Sequence, residues 1–181
     1  MKKIITVLFA VLAMSSMFAY IPNKKNVEKY GDCVVYTYKY KDIYGDKEKS
    51  YITYNTKTGE IYFSPYENFE AIKKMNSPSL SLQKALIKNT ERMWEDVDRE
   101  RESYRMFTDA AECSKKYCKE YCKGDCKKVP CCEDRAKESL SIAKEIEEQF
   151  IDEYPFFTKE NWLTLTKEEW NKMAKDFLEN N

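Results

Sequence analysis

Residues 79–123, SLSLQKALIKNTERMWEDVDRERESYRMFTDAAECSKKYCKEYCK, contain neither proline nor glycine and carry the strongest periodicity in the chain. Leu86, Thr90, Met93, Val97, Glu100, Tyr104, Phe107, Ala111, Ser114, Cys118 and Tyr121 recur at steps of three and four, which places them on one stripe of a helix. The spacing predicts a single helix over Ser79–Lys123, roughly 65 Å long. Gly124 stops it and Pro130 marks the return. A second amphipathic stripe follows through Ala136, Leu140, Ala143, Ile146, Phe150 and Tyr154, over about Glu133–Tyr154. Two such helices joined by a short loop lie antiparallel, in coiled-coil fashion. Pro155 ends the second helix. Thr158 and Thr166 then look like caps of shorter helices. Thr166 with Glu169 fits a capping box, after which Trp170, Met173 and Phe177 share a face.

Upstream of this hairpin, β-branched and aromatic residues concentrate between residues 32 and 63, which predicts a small antiparallel sheet. Asp32–Tyr40 is the first strand, with Val34, Tyr36, Tyr38 and Tyr40 on one face. Asp42–Asp46 is a turn, Ser50–Asn55 the second strand, Thr56–Gly59 a tight hairpin whose glycine suits a left-handed position, and Glu60–Ser64 the third strand. A short helix over Glu67–Met75 and a linker at Ser77-Pro78-Ser79 complete the reading. The fold class is α+β: a three-stranded meander over residues 20–66, a long helical hairpin over 67–155, and C-terminal helices over 156–181.

The first residues read differently. Lys2 and Lys3 precede an apolar run from Ile4 to Ala13 and then Met14, Ser15, Ser16, Met17, Phe18 and Ala19, the charged, apolar, small-residue order of an export signal. Residues 1–19 are the expected signal peptide and 20–181 a single exported domain, periplasmic or secreted. The uncharged stretch Ile4–Ile21 is near the lower limit of about 17–25 residues for a spanning helix, so an uncleaved anchor is the alternative. Contact with a membrane is expected only in that case.

Cysteine usage agrees with an oxidising compartment. Six of the seven cysteines, Cys113, Cys118, Cys122, Cys126, Cys131 and Cys132, fall at the hairpin tip. A zinc site more often shows paired CxxC knuckles and histidine, and a thioredoxin-type centre needs CxxC at a helix start; neither is present. The remaining reading is a disulfide-stapled tip, with bridges from the last turns of the first helix to Cys126–Cys132. Cys33 is the odd thiol, left free or paired with another molecule.

The chain has 31 basic and 31 acidic residues, and removal of Lys2 and Lys3 leaves the exported part slightly acidic, with no basic patch and no expected nucleic-acid partner. Histidine is absent, which excludes Ser-His and Cys-His nucleophile pairs and HExxH zinc sites. The four glycines are dispersed, so no phosphate-binding loop or dinucleotide fingerprint can be assembled. No cofactor or metal is expected. Acidic pairs such as Asp96 with Asp98 or Glu147 with Glu148 read as solvated ion-pair faces before they read as hydrolase carboxylates.

The tyrosines carry the remaining functional reading. Tyr36, Tyr38 and Tyr40 either form an exposed face for a sugar ring or a protein partner, or pack the sheet on the helices. The leading reading is a non-enzymatic exported module that binds a macromolecule, protein or glycan, or serves in the envelope. The second is a small inhibitor or effector that uses the disulfide-held loop 123–130, and the third a hydrolase working through carboxylates.

Overall fold

Short polar strands escape a periodicity argument, and one does so here. The computed structural model describes residues 26–42, 44–65, 79–122 and 131–180. In it β1 (Val27–Tyr30), β2 (Cys33–Lys41), β3 (Lys47–Asn55) and β4 (Ile61–Pro65) pair antiparallel in sequence order. The meander therefore has four strands, not the three expected. β1 contributes only Val27 and Tyr30 as apolar residues, with exposed Glu28 and Lys29 between them. It is set by pairing, Val27 with Tyr36 and Tyr30 with Cys33. Gly31, at φ +56°, opens the two-residue turn into β2, a position that glycine fills without steric cost.

The central hairpin also runs further than expected, from Cys33 opposite Asn55 to Lys41 opposite Lys47. At the next turn, Gly59 takes the left-handed position at φ +78°, and the Asn55 side chain accepts the amides of Lys57 and Thr58 at 3.0 and 3.3 Å. The segment 1–19, the short helix over Glu67–Met75, the start of the linker at Ser77-Pro78 and the loop 123–130 with Cys126 lie outside the described residues.

Helix α1 (Leu80–Tyr117) is capped by Ser79, whose hydroxyl accepts the Leu82 amide at 3.3 Å. It crosses the sheet at the open edge of β4. Before the crossing, Leu82 and Leu86 pack on Cys33, Val35, Tyr51 and Tyr62 of one sheet face. After it, Met93 and Val97 join Tyr36, Ile52 and Tyr54 of the other. Both faces of the small sheet are thus covered, in part by the same helix. At its far end α1 passes into a wider, π-type turn, Cys118–Cys122, instead of continuing as α-helix to Lys123. The predicted stripe is kept through Ala111 and Cys118, both buried. Tyr121, on the widened turn, leaves the stripe and stacks in solvent on Tyr117 at 4.8 Å.

Helix α2 (Cys132–Glu153) returns antiparallel to α1. Cys132 lies beside Cys122 at one end, and the Tyr154 hydroxyl donates to Asp96 at 3.5 Å at the other. Ala136, Ala143 and Phe150 are its buried residues, whereas Leu140 of the predicted stripe is exposed. Helix α3 (Lys167–Glu179) starts with the expected capping box of Thr166 and Glu169. Its inward face is Trp170, Ala174 and Leu178, with Phe177 packed alongside and Met173 turned outward.

An aromatic core fills the space between: Phe150, Tyr154, Phe156, Phe157, Trp162 and Trp170 meet the Tyr36, Tyr38 and Tyr54 face of the sheet. The connection from α2 to α3 is a series of turns, not the helix expected after Thr158, so the described C-terminal part has one helix. The amides of Asn161 and Trp162 meet Thr158 O, those of Thr164 and Leu165 meet Asn161 O, and side chains tie these turns down. Arg101 of α1 donates to the carbonyls of Trp162 and Leu165 at 2.6 and 2.8 Å, and Trp170 Nε1 donates to Pro155 O at 2.9 Å. Phe156 sits at φ +71°, a strained value for a side-chain-bearing residue. Edge contacts with Trp170 and Phe177 hold it there. Among the described residues, no helix is long and apolar enough to cross a membrane.

Candidate functional site

The far end of the β2–β3 hairpin sets four lysines side by side on one sheet face. Period-two alternation puts Lys39, Lys41, Lys47 and Lys49 on the same side of the sheet, and the register sets Lys39 opposite Lys49 and Lys41 opposite Lys47. Directly opposed side chains in an antiparallel pair stand about 4.5–5.5 Å apart at Cβ, and like charges there are destabilising. None of the four ammonium groups makes an ion pair among the described residues. Among the neighbouring acids Asp42 is committed to the turn and Glu48 starts from the opposite side, while Asp46 lies in the turn and Asp152 borders the same depression. The Asp42 carboxylate accepts the amides of Tyr44 and Asp46 at 2.9 and 2.8 Å to close the turn, and Glu48 pairs with Tyr40 on the opposite side. A surface depression of ≈ 630 Å³ runs along this tip, bounded by Tyr38, Tyr40, the four lysines, Glu48 and Asp152. Tyr44, 83% exposed, crowns the turn.

A second, smaller cavity lies where the hairpin meets α1 and the end of α2. It measures ≈ 240 Å³ and is lined by Tyr40, Ser50, Asn89, Arg92, Asp96, Glu153 and Tyr154, among others. Asp96 is engaged, by Arg99 at 2.7 Å and by the Tyr154 hydroxyl at 3.5 Å. Burial pushes the Glu153 carboxyl above the usual range, with Asp96 and Glu100 adding to the shift while Tyr154 and Arg99 oppose it. Burial likewise raises Tyr154, so its phenol stays protonated. Among the described residues, no group of three or more cysteine and carboxylate side chains is placed to hold a metal ion.

No family model, curated protein or solved structure matches the chain.

The residues chosen from the sequence fall elsewhere. Tyr36 and Tyr38 are buried, so the tyrosine face is turned inward and is not a ladder in solvent. Tyr36 meets the Phe177 ring edge-on at 5.1 Å, and the Tyr38 hydroxyl donates to Asp152 O at 2.6 Å. Only half-buried Tyr40, stacked on Tyr38 at 6.2 Å, reaches both depressions. The expected acid pairs are structural. Asp96 and Asp98 bind Arg99 and Arg101, Glu147 accepts from Trp162 Nε1 at 3.1 Å, and Glu148 meets Lys144 and Lys159.

The cysteines gather at the tip as expected, but no bond joins those that are described. Cys122 and Cys132 bring their sulfurs to 4.0 Å, against about 2.05 Å in a disulfide. Cys113 is exposed, Cys118 is buried, and Cys131 caps α2 by accepting the Asp134 amide at 3.4 Å. Cys33 is buried beneath Leu82 and Leu86, where burial, aided by Asp32, pushes its thiol up to about 11.

The lysine face was available in the sequence. Lys39-x-Lys41 and Lys47-x-Lys49 flank the turn symmetrically, but lysine is a poor strand former, and propensity alone ends the first strand at Tyr40 and begins the second at Ser50. Extending the first strand by one residue, to Lys41, and starting the second three residues earlier, at Lys47, places all four on one face.

Proposed function

We propose that the chain is an exported, non-enzymatic binding module that docks on an anionic glycan of the cell envelope through Lys39, Lys41, Lys47 and Lys49. The observation that carries this reading is the two lysine pairs set directly opposite each other, with no ion pair among the described residues. Such an arrangement costs stability in the isolated protein and is offset when negative groups lie across it. A glycan fits better than a protein, because protein interfaces are anchored by buried aromatic residues and arginine and are depleted in lysine. The export signal supports placement where such polymers occur. The 4.0 Å approach of Cys122 to Cys132 supports a disulfide-stapled hairpin tip in that compartment.

Retention on immobilised alginate, a carboxylated polysaccharide, tests the reading beside neutral dextran and double-stranded DNA. The protein is expected to bind alginate, to elute with moderate salt, and to ignore dextran. The variant Lys39→Gln/Lys41→Gln/Lys47→Gln/Lys49→Gln is expected to lose retention while remaining at least as stable. Equal retention of that variant, or retention on DNA alone, overturns the proposal.

A further inference from the structure

Helix α1 carries a second stripe, separate from the one that packs it on α2. Met106, Ala110, Cys113, Tyr117 and Tyr121 follow one another at steps of four, three, four and four, and all five are exposed. Steps of three and four keep residues on one face of a helix. The last step crosses into the wider Cys118–Cys122 turn, where the Tyr121 ring still stands beside Tyr117 at 4.8 Å. At 1.5 Å per residue the seam is about 22 Å long. Apolar residues repeated in this way are the pattern by which one helix receives another, and a contiguous exposed run marks an interaction surface where scattered single residues do not.

The charges beside the seam indicate what covers it. Arg105, Asp109, Lys116 and Glu120 lie along one flank, all exposed, and none makes an ion pair among the described residues. Their signs alternate symmetrically about Cys113. When a second copy runs antiparallel with its Cys113 beside this one, Asp109 stands opposite Lys116 of the second copy and Arg105 opposite its Glu120, and the two-fold axis repeats each pair. The same axis sets Ala110 against Tyr117, a small residue under a large one, and Met106 against Tyr121, a thioether beside a ring. A parallel arrangement would instead set each charge beside its own equivalent, which is unfavourable.

The cysteine count agrees. The chain has seven, and an odd thiol in a chain with an export signal points to pairing with another molecule. The sequence suggests Cys33 for that role, but Cys33 is buried beneath Leu82 and Leu86, whereas Cys113 is exposed at the centre of the seam. Helix axes packed about 8–10 Å apart, with Cα atoms about 2.3 Å from each axis, bring facing Cα atoms to roughly 3.5–5.5 Å. That overlaps the span of roughly 4.4–6.8 Å that a disulfide bridges.

From the outward stripe, the alternating charges about Cys113 and the exposure of that thiol, we propose that the chain forms an antiparallel two-fold dimer along the outer part of α1, closed by a Cys113–Cys113 disulfide. About two heptads of seam hold two copies weakly, and the bridge makes the contact lasting. The oxidant is a disulfide, oxidised glutathione in the test. The Cys113 thiolate of one copy displaces one glutathione thiolate to give a mixed disulfide, and the Cys113 thiolate of the other copy displaces the second. Two protons and two electrons leave the protein, and two reduced glutathione molecules are released. The surface shares no residue with the lysine face, and its test reads self-association alone.

Reduced protein is incubated with oxidised glutathione, and the products are followed by non-reducing electrophoresis and by mass spectrometry of the bridged peptides. A covalent dimer joined at Cys113 is expected, and Cys113→Ser is expected to run as a monomer. Asp109→Lys sets like charges opposite each other at two places and is expected to slow dimer formation about tenfold. Asp109→Lys/Lys116→Asp restores both pairs with their signs exchanged and is expected to recover the natural rate. All these positions are exposed, so the variants should fold, and a thermal melt followed by circular dichroism checks it. Recovery of Cys113 only as the thiol or as the glutathione adduct of a monomer overturns the proposal. Dimer formation by Asp109→Lys at the natural rate, or a double exchange no faster than the single one, also overturns it.

Discussion

The hydroxyl of Thr90, in the middle of α1, accepts the backbone amide of Phe63 on β4 at 2.9 Å and donates to Leu86 O at 2.8 Å. A side chain on a helix thus satisfies the unpaired edge of a sheet, at the point where that helix passes from one sheet face to the other. Edge strands with free amides are templates for unwanted pairing, and covering them with a helix is one protection.

Thr90→Val keeps the shape and removes the hydroxyl, leaving the Phe63 amide buried without a partner. A loss of about 1–3 kcal/mol in urea unfolding is expected. A loss of the same size for Thr90→Ser would show that packing, not the hydrogen bond, sets the cost.

Tyr36 is 1% exposed beneath α3. Tyr36→Ser is expected to cost at least about 3 kcal/mol, in the range for truncating a large buried aromatic residue. Tyr40→Ser, half-buried, should cost far less. Comparable values for the two would contradict the inward orientation of this face.

Arg101 replaces backbone partners for the α2–α3 connection, with its guanidinium on the carbonyls of Trp162 and Leu165 and 6.0 Å from the Phe157 ring. Arg101→Met retains most of the buried stem but orphans both carbonyls, and about 2–3 kcal/mol of destabilisation is expected. Hydrogen exchange should quicken first around Trp162–Leu165. Uniform quickening across the chain would indicate that Arg101 is not a local clamp.

Helices were legible because their signals are local: the Leu86–Val97 stripe, the helix start at Ser79 and the Thr166–Glu169 box are each set by neighbouring residues. The role of Arg101 was not, since its partners are about sixty positions away and no spacing rule links them. β1 was hidden for the related reason that pairing with β2, and not its own pattern, makes it a strand. The tyrosine face was read correctly as a face, but its direction depends on α2 and α3 arriving on that side. At the cysteine tip, the sequence located the cluster yet could not fix the widened turn at Cys118–Cys122, which rotates Tyr121 outward and sets which sulfurs approach.

Cysteine chemistry should divide by position. With its thiol pushed up to about 11 and buried, Cys33 is expected to resist alkylation in the native protein and to react only on unfolding, whereas exposed Cys113 reacts at once. Oxidised glutathione, accepting two electrons and releasing two reduced molecules, should join Cys122 to Cys132 through a mixed disulfide, since rotation of the side chains can close a 4.0 Å gap. Mass spectrometry of non-reduced peptides reads both results. Native labelling of Cys33, or a Cys122-containing peptide recovered only as the thiol, would contradict them.

The last expectation concerns pH. Burial holds Glu153 above its ordinary range, and the charged and titratable groups around it are Arg92, Asp96, Arg99 and Glu100 from α1, Tyr40 from β2, Lys49 from β3 and its neighbour Tyr154. Because its folded value exceeds its unfolded one, the folded state holds the proton more tightly. The ionised carboxylate therefore subtracts from stability at neutral pH, and the penalty fades as pH falls through the folded value, vanishing below the ordinary range of about 4.3. Glu153→Gln removes the ionisable group while keeping a polar side chain of the same size. It is expected to be more stable than the natural protein at pH 7 and no more stable at about pH 4. Urea unfolding at a series of pH values measures the difference directly. A gain that is the same at both ends of the series would assign it to packing, and a loss at pH 7 would mean that Arg99 and the Tyr154 hydrogen bond outweigh burial at this position.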